Sequence, residues 1–286
     1  MIPQRRLREG LRFLSDFQTL FDVTQQMASA QLQRLQMQAA LRTGVVDVLQ
    51  RDFLPMLPAT CRRHPLVRGG HAGTLRILIT FDEGLVGPLQ TALLREALAG
   101  AGAGTEWLLV GQRGARLLGP RVGSAPVVPI PADGVADEQM RRVARHALAR
   151  FRAASLREVQ LIAPRFLSTM RQDVVAQRLL PLAMAEAQPP ADARELLMEP
   201  SAERVLEEVA RLWVEAACLE AFWSARCAEV AARALHVVAS REEVTKQKAG
   251  LRHTLCKVLH GRLDEEVRQT CVVQRRVARR MTEESP

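Results

Sequence analysis

Six histidines, five cysteines and one glycine-bounded turn hold whatever chemistry this chain could perform on its own. The turn, Gly84-Leu85-Val86-Gly87, follows the apolar run from Leu75 to Thr80. A strand-to-helix turn of that kind can cradle a phosphate on its backbone N–H groups. This one lacks the third glycine of a dinucleotide fingerprint and the lysine of a phosphate-binding loop. Asp82 and Glu83 also put negative charge where the phosphate would sit. The glycines therefore read as suppliers of unusual backbone angles in a tight turn. Cys61, Cys218, Cys227, Cys256 and Cys271 form no CxxC pair and no Cys/His metal spacing. They read as thiols of a reducing compartment. His64, His71, His146 and His236 are scattered, while His253 and His260 share one helical face at a loose metal spacing. That pair reads as solvated or interfacial. Asp264, Glu265 and Glu266 form an acidic run suited to solvent or a partner. No nucleophile has a base beside it, so no catalytic, cofactor or metal residue is assigned, and the chain reads as a non-enzyme.

The elements that would position such residues are mostly helices. The chain is 48% hydrophobic and 25% charged but only 4% aromatic, with no tyrosine. Packing by Ala, Leu and Val with Arg for solvation favours helices over a β sandwich. From Arg5 to about Phe53 the residues Leu7, Leu11, Leu14, Phe17, Leu20/Phe21, Thr24, Met27/Ala28, Leu35, Val45/Val46 and Leu49 trace a near-heptad stripe. This predicts one long helix, interrupted only by Gly44 and ended by Pro55 and Pro58. From Pro200 to Met281 a second stripe runs through Val205, Leu206, Val209, Leu212, Trp213, Ala216, Leu219, Trp223 and Val230, then Leu251, Leu255, Val258, Leu259, Leu263, Val267, Val273 and Val277. Ser201 reads as its N-cap with Glu203 in the first turn, and Ser240 with Glu243 allows a break near 239–250. A helix of that length, on the order of 120 Å, needs another helix beside it. The first helix is the available partner, in an antiparallel coiled coil.

Between them the hydrophobic period changes. Leu75 to Thr80 and Glu106 to Gly111 read as strands buried on both faces, with a weaker strand at Ala125 to Ile130 and another at Val159 to Ala163. Helical patterns follow at PLQTALLREALAGAG and at Asp137 to Arg152. Phe166 to Met170 reads as an extended edge, and LLPLAMAEAQPPADAR as a loosely structured return. The fold class is thus α/β with long helices: a coiled coil of the terminal helices plus a small Rossmann-like parallel-sheet domain. The divisions are an N-terminal helix at 1–58, an α/β domain at 74–195 and a C-terminal helix at 200–286.

A net charge of +9 allows an anionic partner, but the arginines are interleaved with Glu, Asp and Gln, and no aromatic-basic cluster offers a base-stacking platform. Nucleic acid is therefore not assigned as a partner. No apolar run is long enough to span a membrane, and MIPQRRLREGLRFLSDF has no apolar signal core, which reads as a cytoplasmic chain.

Taken in order, these segments resemble the γ subunit of rotary F-type ATP synthases. LITFDEGLVGPLQTALLREA is similar to the family's "ITSDRGLCGGLN", with Thr80, Asp82, Gly84, Leu85, Gly87 and Leu89 in place. VGQRG at 110–114 resembles "VGRKG", Phe166 to Met170 resembles "FVSTM", and LLPL at 179–182 also fits. EPSAERVLEEV at 199–209 resembles "EPSPEEVLE", and Arg268-Gln269 followed by Gln274 resembles "ARQAAITQE". Two segments depart from the pattern. FQTLFDVTQQMASAQL keeps Gln18, Ala28 and Leu32 of "TQKITKAMKMVAASKL" but has Thr19 and Asp22 at lysine positions. Arg275 replaces the glutamate of "ITQE". These departures point to a divergent branch, such as the N-type enzymes found beside a standard synthase.

The resemblance implies a shaft of paired helices inside a ring of α and β subunits, with the α/β domain at its foot against the ε subunit and the membrane c ring. Such a chain is peripheral on the cytoplasmic side of the inner membrane, has no span of its own and binds no cofactor. Rotation would carry each β subunit through binding, synthesis and release. Polar and basic faces would let the shaft slip past its sleeve. The residues implied for the rotor–stator contact are Gln18, Asp22, Gln25, Arg268, Gln269, Gln274 and Arg275, with Gly84 and Gly87 structural. Two other readings compete with this one. A free-standing α/β regulatory domain dimerising through a helical hairpin predicts a defined homodimer. A basic coiled-coil nucleic-acid binder predicts salt-sensitive binding.

Overall fold

The computed structural model describes residues 4–81, 84, 86–123, 125–131, 136–154, 156–184 and 198–283, with side chains described for these except at 72, 120 and 276–283. Asp82, Glu83 and Leu85 of the glycine turn, and 185–197 of the expected return, lie outside the described residues. The chain divides into two units, one of Met1–Gln26 with Val237–Pro286 and one of Met27–His236.

Helix α1 runs Gln4–Ala40 and α7 runs Ala202–Glu283. Ser201 caps α7 as its sequence implies: its Oγ accepts the Arg204 N–H at 3.3 Å and its carbonyl the Val205 N–H at 3.0 Å. The expected break near 239–250 is absent, and α7 is continuous. Ala239, Arg241, Glu242, Glu243, Lys246, Gln247 and Lys248 are good helix formers, and Arg241 and Glu243 spend their side chains on Asp22 and Gln247.

The first helix is shorter than its stripe implies. It ends at Ala40, and Gly44 turns the chain at φ 91°, a left-handed angle that side-chain-bearing residues rarely adopt. Short helical turns follow: α2 at Val45–Val48, a π turn at Leu49–Phe53, 3-10 turns at Leu54–Met56 and Ala59–Arg63, and α3 at Pro65–Arg68. An Arg42 knot holds the corner. Its guanidinium donates to Asp137 Oδ2 at 2.7 Å and lies 4.6 Å over the Trp223 ring, whose Nε1–H donates to Asp137 Oδ1 at 3.0 Å.

The sheet unit contains β1 (Ala72–Ile79), α4 (Pro88–Leu98), β2 (Thr105–Val110), α5 (Gln112–Leu118), β3 (Val127–Val128), α6 (Asp137–Ala153), β4 (Leu156–Ser168) and β5 (Arg171–Leu180). Strand order is β3-β2-β1-β4-β5. The first four strands are mutually parallel, with Ile77 opposite both Leu108 and Leu161. The fifth is an addition to the expected all-parallel sheet: β4 extends through Phe166 to Ser168, turns at Thr169-Met170 and returns as antiparallel β5. Ser168 Oγ accepts the Arg171 N–H at 3.1 Å to close that hairpin.

Side-chain alternation divides two cores between the sheet faces. Leu75, Ile77, Ile79, Leu108, Val110, Val159 and Leu161 join Met140, Val143 and Phe151 of α6 and Leu206, Trp213 and Phe222 of α7. Leu78, Trp107, Leu109 and Ile162 face Leu89, Leu93 and Ala97 of α4, with Ala228 and Ala232 of α7. Arg76 and Glu229 are charged residues buried in this unit. Arg76 is 7% exposed and donates to the Ala97 and Ala99 carbonyls at 2.6 and 2.7 Å, satisfying acceptors at the end of α4.

The closest approach in the sheet lies at Gly73, where a Cβ would fall 1.7 Å from the Gly104 carbonyl oxygen. Gly73→Ala is expected to destabilise the chain by about 2–3 kcal/mol in urea titration, because one backbone must move from another. Gly102→Ala meets nothing within 4 Å. It should leave stability unchanged or raise it by up to about 1 kcal/mol.

Candidate functional surface on the paired helices

In the unit formed by the two chain ends, contacts fall in reverse order along the helices. Gln4 Oε1 accepts from Arg262 at 3.1 Å, and a Cβ on Gly10 would lie 3.5 Å from Leu251. Lys248 Nζ donates to Gln18 Oε1 at 2.7 Å and to Ser15 Oγ at 3.2 Å, and Gln18 Nε2 donates to Thr245 Oγ1 at 2.9 Å. Arg241 and Asp22 pair at 2.9 Å. Rising numbers on α1 meet falling numbers on α7, which is an antiparallel pair.

Burial along α1 follows a strict heptad. Positions 4, 7, 11, 14, 18, 21, 25, 28, 32, 35 and 39, in alternating steps of three and four, are all buried or half-buried. Gln18 and Gln25 are therefore seam residues. Polar groups in a helix seam fix register at a cost in stability. Of the expected stripe, Leu7, Leu11, Leu14, Phe21, Ala28 and Leu35 lie on this seam, while Phe17, Leu20 and Met27 lie off it and are 38%, 57% and 67% exposed. Together with Phe13, at 60%, they give α1 an outward apolar face. The Phe13 and Phe17 rings stand 4.8 Å apart, and Phe17 and Phe21 5.9 Å.

All seven residues implied for a rotor–stator contact fall in the unit of the chain ends. The structure separates them into two groups. Gln18 and Asp22 are half-buried and bonded to α7, and half-buried Gln25 occupies the next seam position. Arg268, Gln269, Gln274 and Arg275 are exposed on the part of α7 beyond the Gln4–Arg262 contact. About 30 Å of helix separates Lys248 from Arg268. Gln269 bonds only its own helix, to Glu265 at 3.3 Å. Leu263, Val267, Val272 and Val273 in the same stretch are 50–61% exposed, so the stripe expected there is uncovered among the described residues.

The glycine turn is structural among its described atoms. Gly87 has φ 56°, Arg113 fills the space beside Gly84 at 3.0 Å, and Arg233 Nε donates to the Gly84 carbonyl at 3.4 Å. Among the described residues no group of three or more His, Cys, Asp or Glu could hold a metal. His253 and His260 are exposed. A cleft of about 210 Å³ is lined by Asp47, Glu220 and Ser224. Burial, and after it Asp47, raises the Glu220 carboxyl above its usual range. Ser224, the hydroxyl lining the cleft, already accepts the Phe166 N–H at 3.0 Å.

The comparisons match this geometry. The profile of the family described as "ATP synthase" matches residues 4–255. The chain belongs to the ATP synthase γ family. This γ-family chain is 24% identical over 257 residues to the ATP synthase gamma chain of Ralstonia nicotianae, spanning 85% of this chain and 88% of that one. It is 27% identical over 248 residues to that of Moorella thermoacetica, spanning 82% and 84%. In fold it is similar to a chain of the Euglena gracilis mitochondrial ATP synthase OSCP/F1/c-ring assembly (TM-score 0.68, 13% identity, 99% and 96% covered). A chain of the Tetrahymena thermophila central stalk and c-ring is also similar (TM-score 0.57, 16% identity, 77% and 99% covered). The family match stops at Leu255, short of Arg268 to Arg275.

Two outcomes follow for this γ-family chain. The Asp22–Arg241 pair is nearly half exposed on both sides, so a double-mutant cycle should give a coupling of about 0.2–1 kcal/mol that shrinks with salt. Burial pushes the Cys218 thiol up to about 12 and Cys227 to about 11 from 9.0. The folded chain keeps protons that unfolded thiols release. Their contribution is full below about pH 9 and is lost as pH rises toward 11–12. Cys61 is buried too, so native thiol titration should label Cys256 and Cys271 and leave the other three until denaturant is added.

Proposed function

We propose that this chain is the central rotor shaft of an F-type ATP synthase or ATPase and is itself non-catalytic. It couples ion flow through the membrane sector to ATP synthesis or hydrolysis in a ring of α and β subunits. The observation that carries this reading is the antiparallel pair of chain-end helices, in a chain of this family, with α7 exposed from Gly261 to Arg275 among the described residues. A bare helical tip carrying Leu263, Val267 and Val273 beside Arg268 and Arg275 suits insertion into a sleeve of other subunits. The ε subunit and the c ring would be the chain's further neighbours. No described helix is long and apolar enough to cross a membrane, which fits a peripheral subunit on the cytoplasmic face.

In this reading the shaft works by stiffness and asymmetry. Gln18 in the seam, with Ser15 and Asp22 beside it, bonds to α7 and holds α1 and α7 in one register, so the pair turns as a unit. Each β subunit then meets a different side: the apolar face of Phe13, Phe17 and Leu20, or the polar face of α7. The seam residues act inside the shaft, and Arg268, Gln269, Gln274 and Arg275 are the stronger proposals for direct contact with the ring. The comparisons lend nothing to a free-standing regulatory dimer.

Co-expression with α and β subunits should yield a complex whose ATPase activity requires this chain; failure to recover one would sink the reading. Arg275→Glu should change the ATPase rate of that complex at least twofold. An unchanged rate and torque would remove Arg275 from the contact.

A further inference from the structure

The stretch of α7 from Ala225 to Ala234 reads Ala-Arg-Cys-Ala-Glu-Val-Ala-Ala-Arg-Ala. Ala225, Ala228, Ala231 and Ala232 are buried, Ala228 and Ala232 against the sheet side carrying Leu78, Leu109 and Ile162. Alanine packing brings backbones close but is smooth and has no direction. It resists separation far better than it resists twist. What keys α7 to the sheet unit is a short series of directional bonds. Trp213 Nε1 donates to the Leu179 carbonyl at 3.0 Å, Trp223 Nε1 to Asp137 at 3.0 Å, and Phe166 N–H to Ser224 Oγ at 3.0 Å. The last is Arg233, donating to the Gly84 carbonyl at 3.4 Å, three residues before the unit ends at His236.

Arg233 is aimed by a buried carboxylate. Glu229 is 1% exposed and accepts from Arg233 Nη2 at 3.1 Å and from Arg226 Nη1 at 2.5 Å, while both arginines are 11% exposed. On the turn side, Arg113 stands against Gly84 and His236 Nδ1 lies 3.7 Å from where a Gly87 Cβ would be. A buried Arg-Glu-Arg triad is an expensive way to obtain stability, since apolar residues of similar size often do as well. Its distinctive property is geometric: two guanidinium forks meet one carboxylate in a fixed arrangement.

We propose that Glu229 is a positioning residue that aims Arg233 at the Gly84 carbonyl and so fixes how the Ala202–His236 part of α7 is keyed to the sheet it packs on. This triad is the joint between the sheet and the Ala202–His236 part of α7 within one unit, and in the rotor reading it bears torque. The inference rests on the rotor reading, so its test has one arm on the chain alone and one on the assembled complex. In the isolated full-length chain, Glu229→Gln should raise amide hydrogen exchange across Val86 to Leu89 at least tenfold, with the exchange of β4 unchanged. Glu229→Asp should restore part of the protection. Equal loosening of both segments, or of neither, overturns the joint whatever the chain's partners. In the intact complex, Glu229→Gln should keep ATP hydrolysis within twofold of wild type while ions moved per ATP fall at least twofold. An unchanged ratio, or a parallel loss of both, also overturns it. Arg233→Lys keeps the charge and loses the fork, and it takes the place of Glu229→Gln if that variant does not assemble. Failure of the wild-type chain to assemble would instead count against the rotor reading and leave the exchange arm to decide the joint.

Discussion

An α-helix of 82 residues has one apolar side to cover and no single partner long enough to cover it. Everything else in this molecule answers that constraint. Along its first half α7 is covered by α6 and the sheet through Leu206, Trp213 and Phe222. In its middle, small residues admit α1, with Cys227, Val230 and Ala231 against Ala28 and Leu32. In the other unit α7 bonds to the beginning of α1 through Thr245–Gln18 and Arg262–Gln4, and among the described residues 263–275 are exposed.

Strong local signals made much of this legible in the amino-acid sequence. LRILIT and EWLLV are continuous apolar runs, and both are central parallel strands. Ser201 caps the last helix as expected. The errors have equally specific causes. Gly44 looked like a tolerable interruption because its neighbours keep the helical period, but its positive φ turns the chain and Arg42 locks the corner onto Asp137 and Trp223. The β4–β5 hairpin was hidden because VVAQRLL alternates imperfectly and its turn, Thr169-Met170, contains neither Gly nor Pro.

The candidate site was less legible, for a reason of arithmetic. An apolar count that steps from Leu14 to Phe17, Leu20 and Met27 stays hydrophobic while sliding off the seam, and the alternatives Phe21 and Ala28 are the ones that lie on it. The strict heptad runs instead through Gln18 and Gln25. Gln18 and Asp22, which the resemblance implies for a contact with other subunits, also bond to α7, and their spacing alone does not announce that bond. The departure from the family's lysines has a local counterpart here: Asp22 faces Arg241 within the same chain, and the charge change is internally neutralised.

The antiparallel fifth strand has a consequence for solubility. As the last strand of the sheet, β5 presents one edge of backbone donors and acceptors, and such edges recruit foreign strands into aggregates. Its middle, Val174 to Ala176, is apolar enough to be hazardous. Arg171, Asp173 and Arg178 flank that segment with exposed or half-exposed charge, and register irregularities in β4 at both ends of the ladder keep the edge from lying flat. The hairpin that completes the sheet also carries its own protection against sheet-to-sheet growth.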